Sequence, residues 1–154
     1  MKEQIFQSKT SMDTAEVQQL MSKLGLETRI IDLSQLASFD GLYAYVHTGT
    51  EENEFNSGIT NHWLGIYGNY LFDSYGKYNS YKFPPNIDPV DTVPRALQAY
   101  DTNVCGMYVA AFLKYCSSIK NLRRDPGRGF SLEFDFDHDK KQNDRNILDW
   151  SESL

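Results

Sequence analysis

The chain has 154 residues, 40% of them hydrophobic and 14% aromatic, with a formal net charge of -6. That length predicts one domain over residues 1–154, with enough apolar sequence to bury a real core. The acidic balance excludes a general affinity for phosphate, so nucleic-acid binding would need a local patch.

The N-terminus, MKEQIFQSKT, has no apolar run behind its lysine and does not read as a secretory signal. No stretch approaches the roughly 20 apolar residues that span a bilayer. The expectation is a soluble, intracellular chain with no membrane partner. SMDTAEVQQLMSKLGL predicts a helix. Asp13 and Glu16 have the spacing of a capping box, Val17, Leu20, Met21 and Leu24 mark one face, and Gly25 is a stop signal. RIIDL (29–33) and LYAYVHT (42–48) predict strands, and residues 49–61 a polar, acidic surface loop.

HWLGIY and YLFDSY then flank Gly68-Asn69, a two-residue hairpin turn. Residues 77–94 carry four prolines and predict an irregular connection, and RALQAY (95–100) a short strand. Residues 103–122 are apolar on nearly all sides at their start, the mark of a helix buried at the centre of a domain. LRRDPGRG (122–129) predicts a loop. The tail alternates apolar and acidic residues from Phe130, and NDRNILDW predicts a final short helix. The fold class is α+β, a central helix against a mostly antiparallel sheet.

Cys105 and Cys116 lie eleven residues apart in the central helix. At helical rise their backbones are about 16 Å apart, beyond disulfide reach, which predicts two free thiols and a reducing compartment.

In a hairpin closed by Gly68-Asn69, Tyr67 faces Tyr70 and His62 falls opposite Tyr75. Asp73 is two residues from Tyr75 and shares its face. Such diagonal neighbours are about 7–8 Å apart at the backbone, within reach of a His–carboxylate hydrogen bond. A carboxylate on one imidazole nitrogen makes the other a competent base, which is useful beside a nucleophile. Cys105 opens the central helix, where the helix dipole and a neighbouring imidazolium both favour thiolate. Asp101, Thr102 and Asn103 are the N-cap candidates. Gly106 allows close backbone approach to a substrate. Gln98, seven residues before Cys105, offers an amide donor for an oxyanion beside the Cys105 N–H.

The ordered set His62-Trp63, Tyr70 to Gly76 (YLFDSYG), Gln98 and Cys105-Gly106 resembles the adenovirus-type maturation cysteine proteases. More broadly it resembles the papain-like clan that also holds the SUMO and ubiquitin-like-protein proteases. The opening helix ending in Leu-Gly is similar too. The resemblance implies a Cys105–His62–Asp73 triad with Gln98 in the oxyanion hole, and Trp63 and Gly106 at the substrate. It implies an endopeptidase that cuts viral capsid or core precursors in the infected cell and the virion. The compact size suits a relative from a virophage or related DNA virus.

Departures are a shorter His-to-acid interval, Asp where the adenovirus enzyme has Glu, and a shorter chain overall. Activation by DNA or by a peptide belongs to the same family picture. Alternatives are a protease acting on the di-glycine tail of ubiquitin-like modifiers, and a non-catalytic binding module of the same fold.

Other features have plainer readings. His47 reads as structural and His138 as solvated. Asp135, Asp137 and Asp139 superficially follow a calcium loop, but Lys140 stands where that loop needs glycine and Asn146 where it needs glutamate. No metal or other cofactor is expected. Lys114, Lys120, Arg123, Arg124 and Arg128 form a basic cluster that reads as solvated surface.

Overall fold

In a computed structural model of the chain, which describes residues 12–99, 103–119 and 125–154, helix α1 (Thr14–Lys23) starts at the expected capping box. The Asp13 carboxylate accepts from the Glu16 N–H at 2.8 Å, and the Glu16 carboxylate accepts from the Asp13 N–H at 3.2 Å. Two donors that the helix leaves without partners are thereby satisfied. At the other end Gly25 adopts φ +71°. The Leu26 N–H then reaches the Met21 carbonyl (3.0 Å) and the Gly25 N–H that of Ser22 (3.1 Å), closing the helix with a Schellman motif.

The strands are β1 (Ile30–Asp32), β2 (Tyr43–His47), β3 (Trp63–Tyr67), β4 (Tyr70–Phe72) and β5 (Asp88–Pro89), and their order in the sheet follows the chain. The β2–β3 and β3–β4 pairs are antiparallel, while β1–β2 and β4–β5 are parallel. The sheet is therefore mixed, antiparallel at its two central strand pairs and parallel at its two outer ones. A 3₁₀ segment, Leu33–Ser38, turns the chain between β1 and β2 and buries Leu33 and Leu36. β5 lies within the connection expected to be wholly irregular.

Residues 95–99 form no strand, contrary to expectation. Their amides are spent elsewhere, Leu97 and Gln98 both donating to the Ser74 carbonyl and Ala99 to the Asp144 carboxylate. Tyr100 lies outside the described residues.

Both sheet faces are covered. Ala44, Val46, Leu64, Ile66 and Leu71 pack with Leu33, Leu36, Tyr78, Tyr81 and Ile87 on one side. Tyr45, Trp63 and Phe72 face helix α2 (Cys105–Ser118) on the other. Gly65 makes that approach close, since a Cβ there would lie 2.9 Å from Val109 Cγ1. The helix is shorter than expected and begins at an uncapped Val104, so Asn103 is not the N-cap. Asp101 and Thr102 lie outside the described residues.

Helix α3 (Gly127–Glu133) replaces part of the expected loop and of the alternating tail. Phe130 is its anchor, fully buried among Phe72, Phe112, Tyr115, Phe134 and Phe136 with ring centroids 5.3–5.8 Å away. Helix α4 (Lys140–Glu152) is longer than the short one expected, and Asp139 caps it through the Gln142 N–H. Among the described residues no helix is long and apolar enough to cross a membrane.

Candidate active site

His62 and Asp73 stand just outside the paired hairpin, one before β3 and the other after β4. The register is the expected one, Tyr67 facing Tyr70 and Gly65 facing Phe72, so both side chains emerge at the end remote from the turn. Thr48 fixes the histidine backbone: its hydroxyl accepts the His62 N–H and its own N–H donates to the His62 carbonyl, both at 3.1 Å.

His62 Nε2 lies 2.7 Å from Asp73 Oδ1, and both side chains are closed to solvent. Tyr75, expected opposite His62, stacks on its ring with centroids 4.4 Å apart. The carboxylate is held from below as well. The Tyr75 N–H donates to Oδ1 and the Lys77 N–H to Oδ2, each at 3.0 Å. This tight turn needs Gly76, which adopts φ +67° and where a Cβ would lie 2.6 Å from the Arg95 carbonyl oxygen. The Asp73 N–H donates to the Tyr78 hydroxyl (3.1 Å), which donates to the Val90 carbonyl (3.0 Å).

Cys105 is the first residue of α2 and is 3% exposed. Its side chain interacts electrostatically with the His62 imidazole. With Nε2 committed to Asp73, Nδ1 is the nitrogen left for the thiol. Burial alone would push the imidazole pKa down. The charge at Cys105 and then Asp73 outweigh that and raise it to about 10. The second thiol, Cys116, is fully buried, and burial pushes its pKa up.

Gln98 is buried and joined to this group through Ser74, the residue after Asp73. Ser74 Oγ donates to Gln98 Oε1 at 2.5 Å. Trp63 is a core residue, its indole N–H donating to the Met12 carbonyl (2.8 Å) and its ring packing edge-on against Tyr45 and His47. The Gly106 carbonyl accepts from the Tyr45 hydroxyl at 2.8 Å, and its missing Cβ makes room for Met12.

The four residues read from the sequence as catalytic thus lie in one connected group. Thr48, Ser74 and Tyr78 complete it and carried no signal of their own, apart from the position of Ser74 beside Asp73. His47 stays outside, its Nδ1 accepting the Gly49 N–H (3.2 Å) and burial lowering its pKa. His138 is exposed. In the basic cluster, Lys114 donates to the Leu24 carbonyl and Arg128 is exposed, while Lys120, Arg123 and Arg124 lie outside the described residues. Among the described residues no group of three or more His, Cys, Asp or Glu side chains is placed to hold a metal ion.

No family model, curated protein or solved structure matches the chain.

Proposed function

We propose that the chain is a cysteine endopeptidase. One observation carries the reading: a buried imidazole bonded to a carboxylate at 2.7 Å and coupled electrostatically to a cysteine that opens a buried helix. A His–carboxylate contact alone is common surface chemistry. Sealed from water and coupled to a thiol, it supplies an activated nucleophile and its base.

In this reading Cys105 Sγ attacks the scissile carbonyl. His62 holds the thiol proton as imidazolium and delivers a proton to the departing amine, leaving a thioester on Cys105. A water deprotonated by His62 then attacks the thioester, releasing the acid and restoring the thiol. Asp73 keeps the imidazole oriented throughout. The Cys105 N–H, which has no intrahelical acceptor at the first helical position, and the Gln98 amide donate to the oxyanion. Trp63, next to His62 in the chain, packs against Tyr45 and His47, and Gly106 keeps the backbone after the nucleophile free of a side chain.

The resemblance to adenovirus-type maturation proteases gives the finer proposal, a papain-like-clan fold acting on viral capsid or core precursors near small residues such as glycine. The test is alkylation of wild type and Cys105→Ala with iodoacetamide between about pH 5 and 8, below the ordinary thiol pKa near 8.5. Fast labelling of wild type alone supports an activated thiolate. Screening with glycine-containing capsid peptides and di-glycine tails then separates the two substrate classes. Labelling no faster than an ordinary thiol, unchanged when DNA or capsid-derived peptide is added, sinks the reading.

A further inference from the structure

We propose that Ser74 is the positioning residue for the oxyanion donor Gln98. The inference rests on the cysteine-protease reading and adds a residue that neither motif spacing nor family resemblance singled out.

Ser74 is fully buried and follows Asp73 directly. Its Oγ lies 2.5 Å from Gln98 Oε1. An amide oxygen only accepts, so the hydroxyl is the donor. The separation falls at the short end of O–H···O contacts and below the usual N–H···O range, so an amide turned over to present its nitrogen does not suit it. The backbone adds two further ties, the Leu97 and Gln98 N–H groups donating to the Ser74 carbonyl at 2.8 and 3.0 Å.

This bond matters because a side-chain amide has two orientations of nearly equal shape and opposite polarity. In one, an NH₂ edge is offered to a developing negative charge; in the other, a carbonyl oxygen repels it. Holding Oε1 on Ser74 turns the NH₂ edge away from that residue, and in this proposal the oxyanion formed at Cys105 lies on that side. The Asp73-Ser74 dipeptide then serves both arms of the machine, the first residue orienting the base and the second the oxyanion donor. Asp73 follows β4 and Ser74 enters the tight turn closed by the Gly76 N–H on the Asp73 carbonyl, so one short segment reaches both.

The experiment uses full-length ¹⁵N-labelled protein as wild type, Ser74→Ala and Gln98→Glu. Alkylation by iodoacetamide develops no oxyanion, so its rate reports the thiolate alone. Nuclear Overhauser contacts from the Gln98 amide protons report which way the amide faces. The expected result is contact with the Cys105 β-protons in wild type and loss of that contact in Ser74→Ala, with alkylation at the wild-type rate.

Turnover of the glycine-containing capsid peptides should fall about a hundredfold in both variants, with KM unchanged. The proposal is overturned if wild-type amide protons contact Ser74 instead, or if Ser74→Ala keeps both the Cys105 contact and wild-type turnover. Should Ser74→Ala fail to fold, the wild-type contacts alone decide. Slow alkylation of wild-type Cys105, unchanged by added DNA or capsid-derived peptide, brings down the protease reading and this proposal with it. Fast alkylation with a wrongly facing amide brings down only the second.

Discussion

His62 Nε2 and Asp73 Oδ1 meet at 2.7 Å where neither side chain sees solvent, and two backbone N–H groups converge on the same carboxylate. Asp73→Asn keeps the shape but replaces one acceptor oxygen with a donor. That donor must confront either the Lys77 N–H or the His62 and Tyr75 pair. Turnover should fall by about 10²–10⁴-fold, as expected for a misoriented catalytic imidazole. Stability should fall by about 1–3 kcal/mol for the buried donor left unpaired. Steady-state kinetics beside urea unfolding checks both, and wild-type turnover would remove Asp73 from the mechanism.

The raised pKa of His62 makes a signed statement about stability. Its folded value of about 10 lies above the ordinary 6.5. The folded protein therefore binds the extra proton more tightly. The resulting stabilisation is complete below the ordinary value and is lost as pH rises through the folded one. The difference in urea midpoint between wild type and His62→Gln should narrow steadily from about pH 6.5 to about pH 10. A difference that stays flat across this window would falsify the buried ion pair.

Gly65→Ala tests how the helix is seated on the sheet. The new methyl would lie 2.9 Å from Val109 Cγ1 in a core with no spare room. A cost of about 1–3 kcal/mol is expected for overpacking. Val109→Ala in the same chain should restore part of it, because the two sites share one contact. Additive losses in the double variant, read by thermal unfolding, would argue that α2 does not rest on β3 at this point.

Phe130 packs α3 against Phe72 of the sheet, Phe112 and Tyr115 of α2, and Phe134 and Phe136. Phe130→Ala should destabilise the protein by about 3–5 kcal/mol. Leu132→Ala, two residues on but 71% exposed, should cost almost nothing. Denaturant titration of the pair decides whether this segment is a helix anchored by one ring or a strand burying every second residue.

That contrast also shows what the sequence could tell. The β3–β4 hairpin was legible because a two-residue turn and the alternation of side chains together fix one register, and His62 and Asp73 follow from it. The α1 caps were legible because Asp13 and Glu16 satisfy purely local donors. Helix α3 was not. Phe130, Leu132, Phe134 and Phe136 alternate as a strand would, yet the partners that bury Phe130 include Phe72 and Phe112, far away in the chain. The parallel pairing of β5 with β4 was hidden for a similar reason, since two residues among prolines carry no periodicity. The start of α2 was misjudged by rank of capping residue: Val104 takes the cap position without a side-chain bond, and nothing local favours it.

The two thiols of α2 give the molecule a built-in reference. Cys116 is sealed in the core with its pKa pushed up, so it can be alkylated only when the helix leaves its packing. Cys105, eleven residues earlier, answers to the chemistry of its own surroundings. Mass spectrometry of one labelled sample therefore yields two clocks on the same rod. The Cys116 clock counts openings of the fold, and the Cys105 clock tests the proposed nucleophile. Any substitution discussed above can be assigned to stability or to chemistry by which clock it changes.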